Sequence, residues 1–136
     1  MLRAAVAAGL ATVAESAVHA RESHPRPDLG LLALLRELSR GRRLNEADPA
    51  AREARRRMSW IIDHELPQRR ARPSDTADLE ALAAALPQCD VVACDAFMAD
   101  VIRRARLDRR YGCELYSGQR RDVLALRDRL AALSQD

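Results

Sequence analysis

The stretch LPQCDVVACDAFMADVI, residues 86–102, decides the fold because it sets a short apolar run directly before a helical pattern. Residues 90–94, DVVAC, are β-branched and bounded, which predicts a fully buried strand. From Met98 to Ile102 the apolar residues follow helical spacing, so a helix is expected to start next. The joint between the two elements is a carboxylate, Asp95, and its role is the first question that the sequence raises.

Working outward from this stretch, the remaining chain is predicted to be mostly helical. The first predicted elements are a helix over residues 2–10 and a strand at Ala11–Ala14. A second helix is expected to begin at an Asp28 N-cap, to carry Leu31, Leu32, Leu35 and Leu38 on one face and to end at Gly41. A helix from Asp48-Pro49 to Pro67, a helix carrying Leu79, Leu82, Ala83 and Leu86, a strand after Gly112, and a final helix with Val123, Leu126, Leu130 and Leu133 inward follow. Strands separated by helices indicate an α/β fold with a parallel sheet and helices on its faces.

Length and composition bound the class of protein. A chain of 136 residues is predicted to form one domain, and its 48% apolar content excludes a disordered chain. No run is long enough to span a membrane, and Glu15 interrupts the weakly apolar start, which argues against an export signal. The three cysteines form no C-x-x-C pair, which argues against a disulfide framework and a zinc site. A reduced, cytoplasmic protein is therefore expected.

All 23 basic residues are arginines, and the net charge is +3. Such a charge permits nucleic acid as a partner without requiring it. The alternative explanation for the arginines is a compositional bias, with most of them on solvated helix faces. The loop that carries Arg69, Arg70 and Arg72 is the best candidate for nucleic-acid binding, because it immediately precedes an acidic helix start. No aromatic residues interleave with the arginine clusters, so base stacking on single strands is not expected.

The acidic residues form the candidate catalytic site. Asp95 follows a strand end, where ligands of open parallel sheets bind, although an aspartate there is also a good helix N-cap. Asp75 and Asp78 lie in the first turn of the preceding helix, and Glu22 follows the extended segment near the N-terminus. Carboxylates that converge raise one another's pKa unless a cation neutralises them. Oxygen ligands of this kind suit Mg²⁺ or Mn²⁺.

These residues also carry a resemblance to a known family. SDTADLEALAAALPQCDVVACDAFMADVIRRARLDRRYGCELYS, residues 74–117, resembles the C-terminal half of PIN-like nuclease domains, and SAVHARES, residues 16–23, is similar to the segment with the family's middle acidic residue. The resemblance implies a three-layer α/β/α sandwich with a short parallel sheet and a metal-dependent endoribonuclease, often the toxin of a toxin–antitoxin pair. Matched residue by residue, it implies Glu22, Asp78 and Asp95 as catalytic residues and metal ligands, with Asp75 as a neighbouring ligand.

The chain also departs from the family pattern. PIN-like domains begin with a central strand ending in aspartate, and nothing here matches it, so the first core strand and one ligand are expected to be missing. Where the family often has a hydroxyl residue before its last aspartate, this chain has Ala93 and Cys94. An upstream start, a decayed fragment and a partner that supplies the strand are the alternatives, and whether the chain is an active enzyme stays open.

The alternative function is a non-catalytic α/β interaction module whose acidic residues are only helix caps. The expected partners are RNA, an antitoxin or a strand-donating protein, and a second copy in a homo-oligomer; no membrane partner is expected. Substrate sequence and oligomeric state depend on surface detail that the core pattern does not encode.

Overall fold

The computed structural model describes residues 2–14, 30–133 and 135. Within them the chain is α/β, with seven helices and a two-stranded parallel sheet. The contacts between residues divide the chain into two compact units, Met1–Leu44 with Gln119–Asp136, and Asn45–Gly118. This division does not test the prediction of a single PIN-like domain over residues 1–136.

The first unit contains α1 (Leu2–Ala7), α2 (Leu31–Ser39) and α7 (Arg120–Ala132). α2 ends with Arg40 and Gly41 at positive φ, so the predicted stop at Gly41 is confirmed. The predicted N-cap of this helix, Asp28, lies outside the described residues. The predicted strand at Ala11–Ala14 is wrong. The backbone N–H groups of Leu10 and Ala11 instead bond to the carbonyl of Ala5, which closes the end of α1.

α7 confirms the predicted last helix but not its inward apolar stripe. None of its described side chains is buried, and Val123 is 52% exposed. Leu126, Leu130 and Leu133 are half-buried. Helical spacing thus predicted the local structure, whereas the degree of burial depends on which surfaces meet.

The second unit begins with two helices, α3 (Pro49–Glu65) and α4 (Asp75–Ala85), which pack against each other. The predicted Asp48-Pro49 start is confirmed, because the Asp48 carboxylate accepts a 2.8 Å hydrogen bond from the N–H of Ala50. α3 turns a face of small and apolar side chains to the core: Ala51, Ala54, Met58 and Ile61. Pro67 ends the helix as predicted.

The rest of the second unit is a β-α-α-β arrangement. β1 (Val91–Cys94) leads through α5 (Ala96–Arg104) and α6 (Leu107–Tyr111) to β2 (Glu114–Ser117). The strands pair in parallel, with Val91 opposite Glu114 and Cys94 opposite Ser117. The sequence did not predict α6, which is bounded by Arg106 and Gly112, both in the left-handed region.

β1 is a strand as predicted, but it is not fully buried. Val92 is 5% exposed and lies in the core, whereas Val91 is 36% exposed and Ala93 is also exposed. Neighbouring side chains of a strand point to opposite faces, and the described helices of this unit cover only the face of Val92. The core beneath that face includes Met58, Leu79, Leu82, Leu86, Met98, Val101, Ile102 and Leu107.

Among the described residues, no helix combines the length and apolar character that crossing a membrane would require.

Candidate acidic site at the carboxyl end of the parallel sheet

Asp95 lies directly after β1 and caps the N-terminus of α5. Its Oδ1 atom accepts a 2.7 Å hydrogen bond from the N–H of Met98, so the alternative role as N-cap is real. The side chain is nevertheless exposed. A carboxylate can accept about four hydrogen bonds or cation contacts, so capping fixes the orientation of Asp95 without using up its oxygens.

Asp78 belongs to the same neighbourhood. It lies half-buried in the first turn of α4, and its charge contributes to the environment of Cys94, the last residue of β1. Burial, together with the negative charges of Asp95 and Asp78, raises the pKa of the Cys94 thiol to about 12, and Arg103 opposes the shift. The start of α4 and the end of β1 therefore place two carboxylates near one thiol.

The thiol of Cys94 is not chemically reactive at neutral pH. With a pKa of about 12, Cys94 is protonated at neutral pH, and a protonated thiol is neither a good nucleophile nor a good metal ligand. Burial likewise raises the pKa of Cys113 to about 11. The charged groups that influence Cys94 at this end of the sheet include the carboxylates of Asp95 and Asp78 and the guanidinium of Arg103.

Asp75 is engaged by the arginine loop. Arg69 donates from Nη1 and Nη2 to the two Asp75 oxygens at 2.6 and 3.3 Å, and the backbone N–H of Arg72 donates at 2.7 Å. These bonds, led by that of Arg69, lower the pKa of Asp75. A guanidinium thus already neutralises the carboxylate that the resemblance assigns as a neighbouring metal ligand.

Arg69 also contacts the start of α5. Its guanidinium carbon lies 3.4 Å from the ring centroid of Phe97, a cation–π contact two residues after Asp95. The side chains of Arg69 and Asp75 are 20% and 18% exposed, so the pair is largely shielded from water. Of the three predicted nucleic-acid-binding arginines, Arg69 is held within the protein, while Arg70 and Arg72 are exposed.

We expect the Arg69–Asp75 pair to make stability dependent on pH. Because the folded-state pKa of Asp75 lies below its ordinary value of 3.8, its contribution is present above that pH and is lost as the pH falls through the lower folded value. The difference in unfolding free energy between wild type and Asp75→Asn should therefore shrink on acidification below about pH 4. Urea titrations at a series of pH values measure it.

The matched control is the same substitution in an Arg69→Gln background, which keeps a polar side chain but removes the charge. There, Asp75→Asn should have a smaller effect at neutral pH, because the ion pair is already gone. An equal effect of Asp75→Asn in both backgrounds would show that Arg69 does not stabilise the carboxylate.

Glu22, the third predicted ligand, lies outside the described residues. Among the residues that are described, no group of three or more His, Cys, Asp or Glu side chains is arranged to hold a metal ion. The described part of the site is therefore a pair, Asp78 and Asp95, flanked by the neutralised Asp75.

Two features of this unit were not predicted from the sequence. The contact between Arg69 and Phe97 joins a loop to a later helix, and no local pattern reveals it. Trp60 was also overlooked. It follows Arg56 at a spacing of four residues on the exposed face of α3, so the interpretation that no aromatic residue interleaves with the arginine clusters did not take it into account.

Comparisons with protein-family models, with curated proteins and with solved structures found no match for this chain.

Proposed function

We propose that this chain is a PIN-like, metal-dependent endoribonuclease domain in which Asp78 and Asp95 are the described part of the acidic site. The observation that carries the proposal is the position of Asp95, which directly follows parallel strand β1 and is held by the N–H of Met98, together with Asp78 in the first turn of α4. That end of a parallel sheet is where ligands of such folds bind.

The donor chemistry fits a hard divalent cation. Two aspartates near each other repel, and Mg²⁺ or Mn²⁺ relieves that repulsion through oxygen ligands. Asp78 and Asp95 would hold the ion, with Glu22 as the predicted third ligand. When bound, such an ion supplies charge stabilisation for phosphodiester hydrolysis and an activated water.

The protein's own groups have separate roles in this proposal. The bond from the Met98 N–H orients Asp95. Cys94 stays neutral, so it adds no competing charge. Arg70 and Arg72 are exposed on the loop before α4 and would contact phosphate groups, while the Arg69–Asp75 pair fixes that loop.

The finer features implied by the resemblance belong to the same proposal. They are the three-layer α/β/α sandwich, a cytoplasmic location, RNA as substrate, and an antitoxin, a strand-donating protein or a second copy as partner. The exposed Val91 and Ala93 on one face of the two-stranded sheet support the need for a further covering element.

The same exposed face favours a second candidate function, a non-catalytic interaction module. Within the described residues each strand has one hydrogen-bonded neighbour, so each has an open edge. Open edges are sites at which another chain can add a strand. In that case the aspartates serve only as helix caps and their charge is dispensable.

RNA cleavage tests the proposed reaction. We expect wild type to cleave single-stranded RNA with Mn²⁺ or Mg²⁺ and to stop when EDTA is added. Replacing a residue that hydrogen-bonds to a metal ligand usually lowers metal affinity or activity 10- to 100-fold. Replacing a ligand itself, in Asp78→Asn or Asp95→Asn, should therefore slow cleavage by about 100-fold or more. Quantified gel assays of labelled RNA measure the rates.

Asp90→Asn is the matched control, because Asp90 is an exposed aspartate at the opposite end of β1. It should cleave at the wild-type rate. If wild type does not cleave with either ion, or if all three variants cleave equally, the catalytic proposal is wrong and the interaction module takes its place.

A further inference from the structure

The outer face of α3 carries an unusual row of side chains. While Ala51, Ala54, Met58 and Ile61 face the core, the opposite side presents Arg52, Arg56, Trp60 and His64, all exposed and each four residues after the last. Residues four apart lie on one face of a helix. This row, the α3 outer stripe, is about 18 Å long at 1.5 Å per residue.

The first half of the stripe is positively charged. No described carboxylate forms an ion pair with Arg52 or Arg56, whereas Arg55 contacts Glu80 at 3.4 Å. The nearest acidic residue on the same helix, Glu53, is already engaged by Arg57 and Arg110 at 3.3 and 3.1 Å. The three arginines Arg52, Arg55 and Arg56 line, with Pro49, a concavity of about 510 Å³. Its chemistry favours a ligand with several phosphate groups.

The second half of the stripe offers an aromatic surface. Trp60, the chain's only tryptophan, is 53% exposed and stacks on His64, with ring centroids 4.5 Å apart and planes 10° from parallel. His64 is held in turn by a 2.9 Å contact between its Nδ1 atom and the Trp60 carbonyl. The indole ring is therefore oriented before any ligand arrives.

A second concavity of about 290 Å³ adjoins the indole and is lined by Arg57, Trp60, Ile61, Glu65, Arg104 and Ala105. Its charges are balanced, because Arg104 bonds to Glu65 and Asp100, and Arg57 bonds to Glu53. Recognition there would depend on stacking and apolar contact rather than on net charge.

We propose that the α3 outer stripe binds single-stranded nucleic acid, with phosphates on Arg52 and Arg56 and a base stacked on Trp60. Guanidinium groups that no described carboxylate neutralises, followed by an exposed, oriented aromatic ring, are the combination that single strands recognise. A duplex would hide its bases from Trp60. The choice of RNA as ligand rests on the proposed function, but the binding itself requires neither metal nor the acidic pair.

The test is binding without hydrolysis. Single-stranded RNA of about 12 nucleotides, within known site sizes, is titrated into the protein in EDTA, and the fluorescence of Trp60 is followed. We expect quenching by this RNA, little quenching by the duplex of the same sequence, and none by tripolyphosphate, which offers charge without bases. RNA binding without quenching, or equal quenching by duplex and single strand, would overturn the stacking role.

Variants separate the two halves of the stripe, with binding measured by anisotropy of labelled RNA. Trp60→Ala should weaken binding roughly 5- to 150-fold, and Trp60→Phe should retain most of it. Arg52→Ala with Arg56→Ala should weaken binding and reduce the slope of log K against log salt by about 1.4, which is 0.7 for each lost phosphate contact.

The charge-matched control is Arg120→Ala with Arg121→Ala, two exposed arginines at the start of α7. It should keep the salt slope nearly unchanged, and thermal melts should show that each variant folds. If the control loses as much affinity as the stripe variant, binding is diffuse and the proposal is wrong. RNA binding in EDTA without cleavage in Mn²⁺ would uphold the stripe while rejecting the ribonuclease.

Discussion

Leu86→Ala should lower the free energy of unfolding by about 2–5 kcal/mol, the range for large-to-small changes in a core. Leu86 is 0% exposed and belongs to the core cluster of the second unit. Its removal leaves a cavity in the core of the second unit, where close packing prevents complete collapse. Since a domain of this size has about 5–15 kcal/mol of net stability, much of it would be lost.

The same chemical change on the surface provides the control. Leu124 lies on α7 and is 40% exposed, so Leu124→Ala should stay within about 0.5 kcal/mol of wild type. Urea denaturation followed by far-UV circular dichroism gives both values, provided that the slopes agree. Equal losses for the two variants would mean that Leu86 does not lie in a packed core.

Where a local pattern is complete, the sequence predicted the structure well. α3 has a proline start with an aspartate cap, a regular apolar face and a terminating proline, and each of these acts within a few residues. The β1–α5 joint was predictable for the same reason, because Asp95 caps the helix that directly follows the strand. Capping and helical spacing are local, so they can be predicted without knowledge of the tertiary contacts.

Burial was harder to predict than local structure. The apolar run at β1 suggested a strand covered on both faces, yet Val91 and Ala93 are exposed. The α7 stripe likewise has helical spacing without buried residues. An apolar pattern records which face can be buried, whereas actual burial depends on a partner element elsewhere in the chain.

The candidate site shows the same limit. The out-and-back course of the chain predicted that Asp78 and Asp95 could meet, and in the structure the charges of both contribute to the environment of Cys94. The engagement of Asp75 by Arg69 could not be predicted, because it depends on how the loop folds back and on Phe97 from a different element. Charge runs in a sequence do not reveal which charges are paired.

The second large effect expected is stabilisation by a divalent ion. A ligand that binds only the folded state adds about 2.7 kcal/mol at a concentration 100 times its dissociation constant. For a chain of 136 residues this corresponds to a rise of several degrees in the melting temperature. Asp78→Asn and Asp95→Asn should remove most of the rise, because each lacks one charged ligand.

Asparagine at position 95 separates the effect of metal binding on stability from the effect of helix capping. Asparagine caps a helix about as well as aspartate, so Asp95→Asn should melt near wild type without metal. Asp95→Ala should be less stable by about 0.5–2 kcal/mol even without metal, because the bond to the Met98 N–H is lost. A difference that appears only when Mn²⁺ is present is therefore due to ion binding.

The central claim, that Asp78 and Asp95 form a cation site, is tested most directly by titrating Mn²⁺ into wild type, Asp78→Asn, Asp95→Asn and the control Asp90→Asn while the melting temperature is followed. We expect a saturable rise in the melting temperature of wild type and Asp90→Asn, and little or no rise for Asp78→Asn and Asp95→Asn. No rise in wild type, or the same rise in all four proteins, would contradict it.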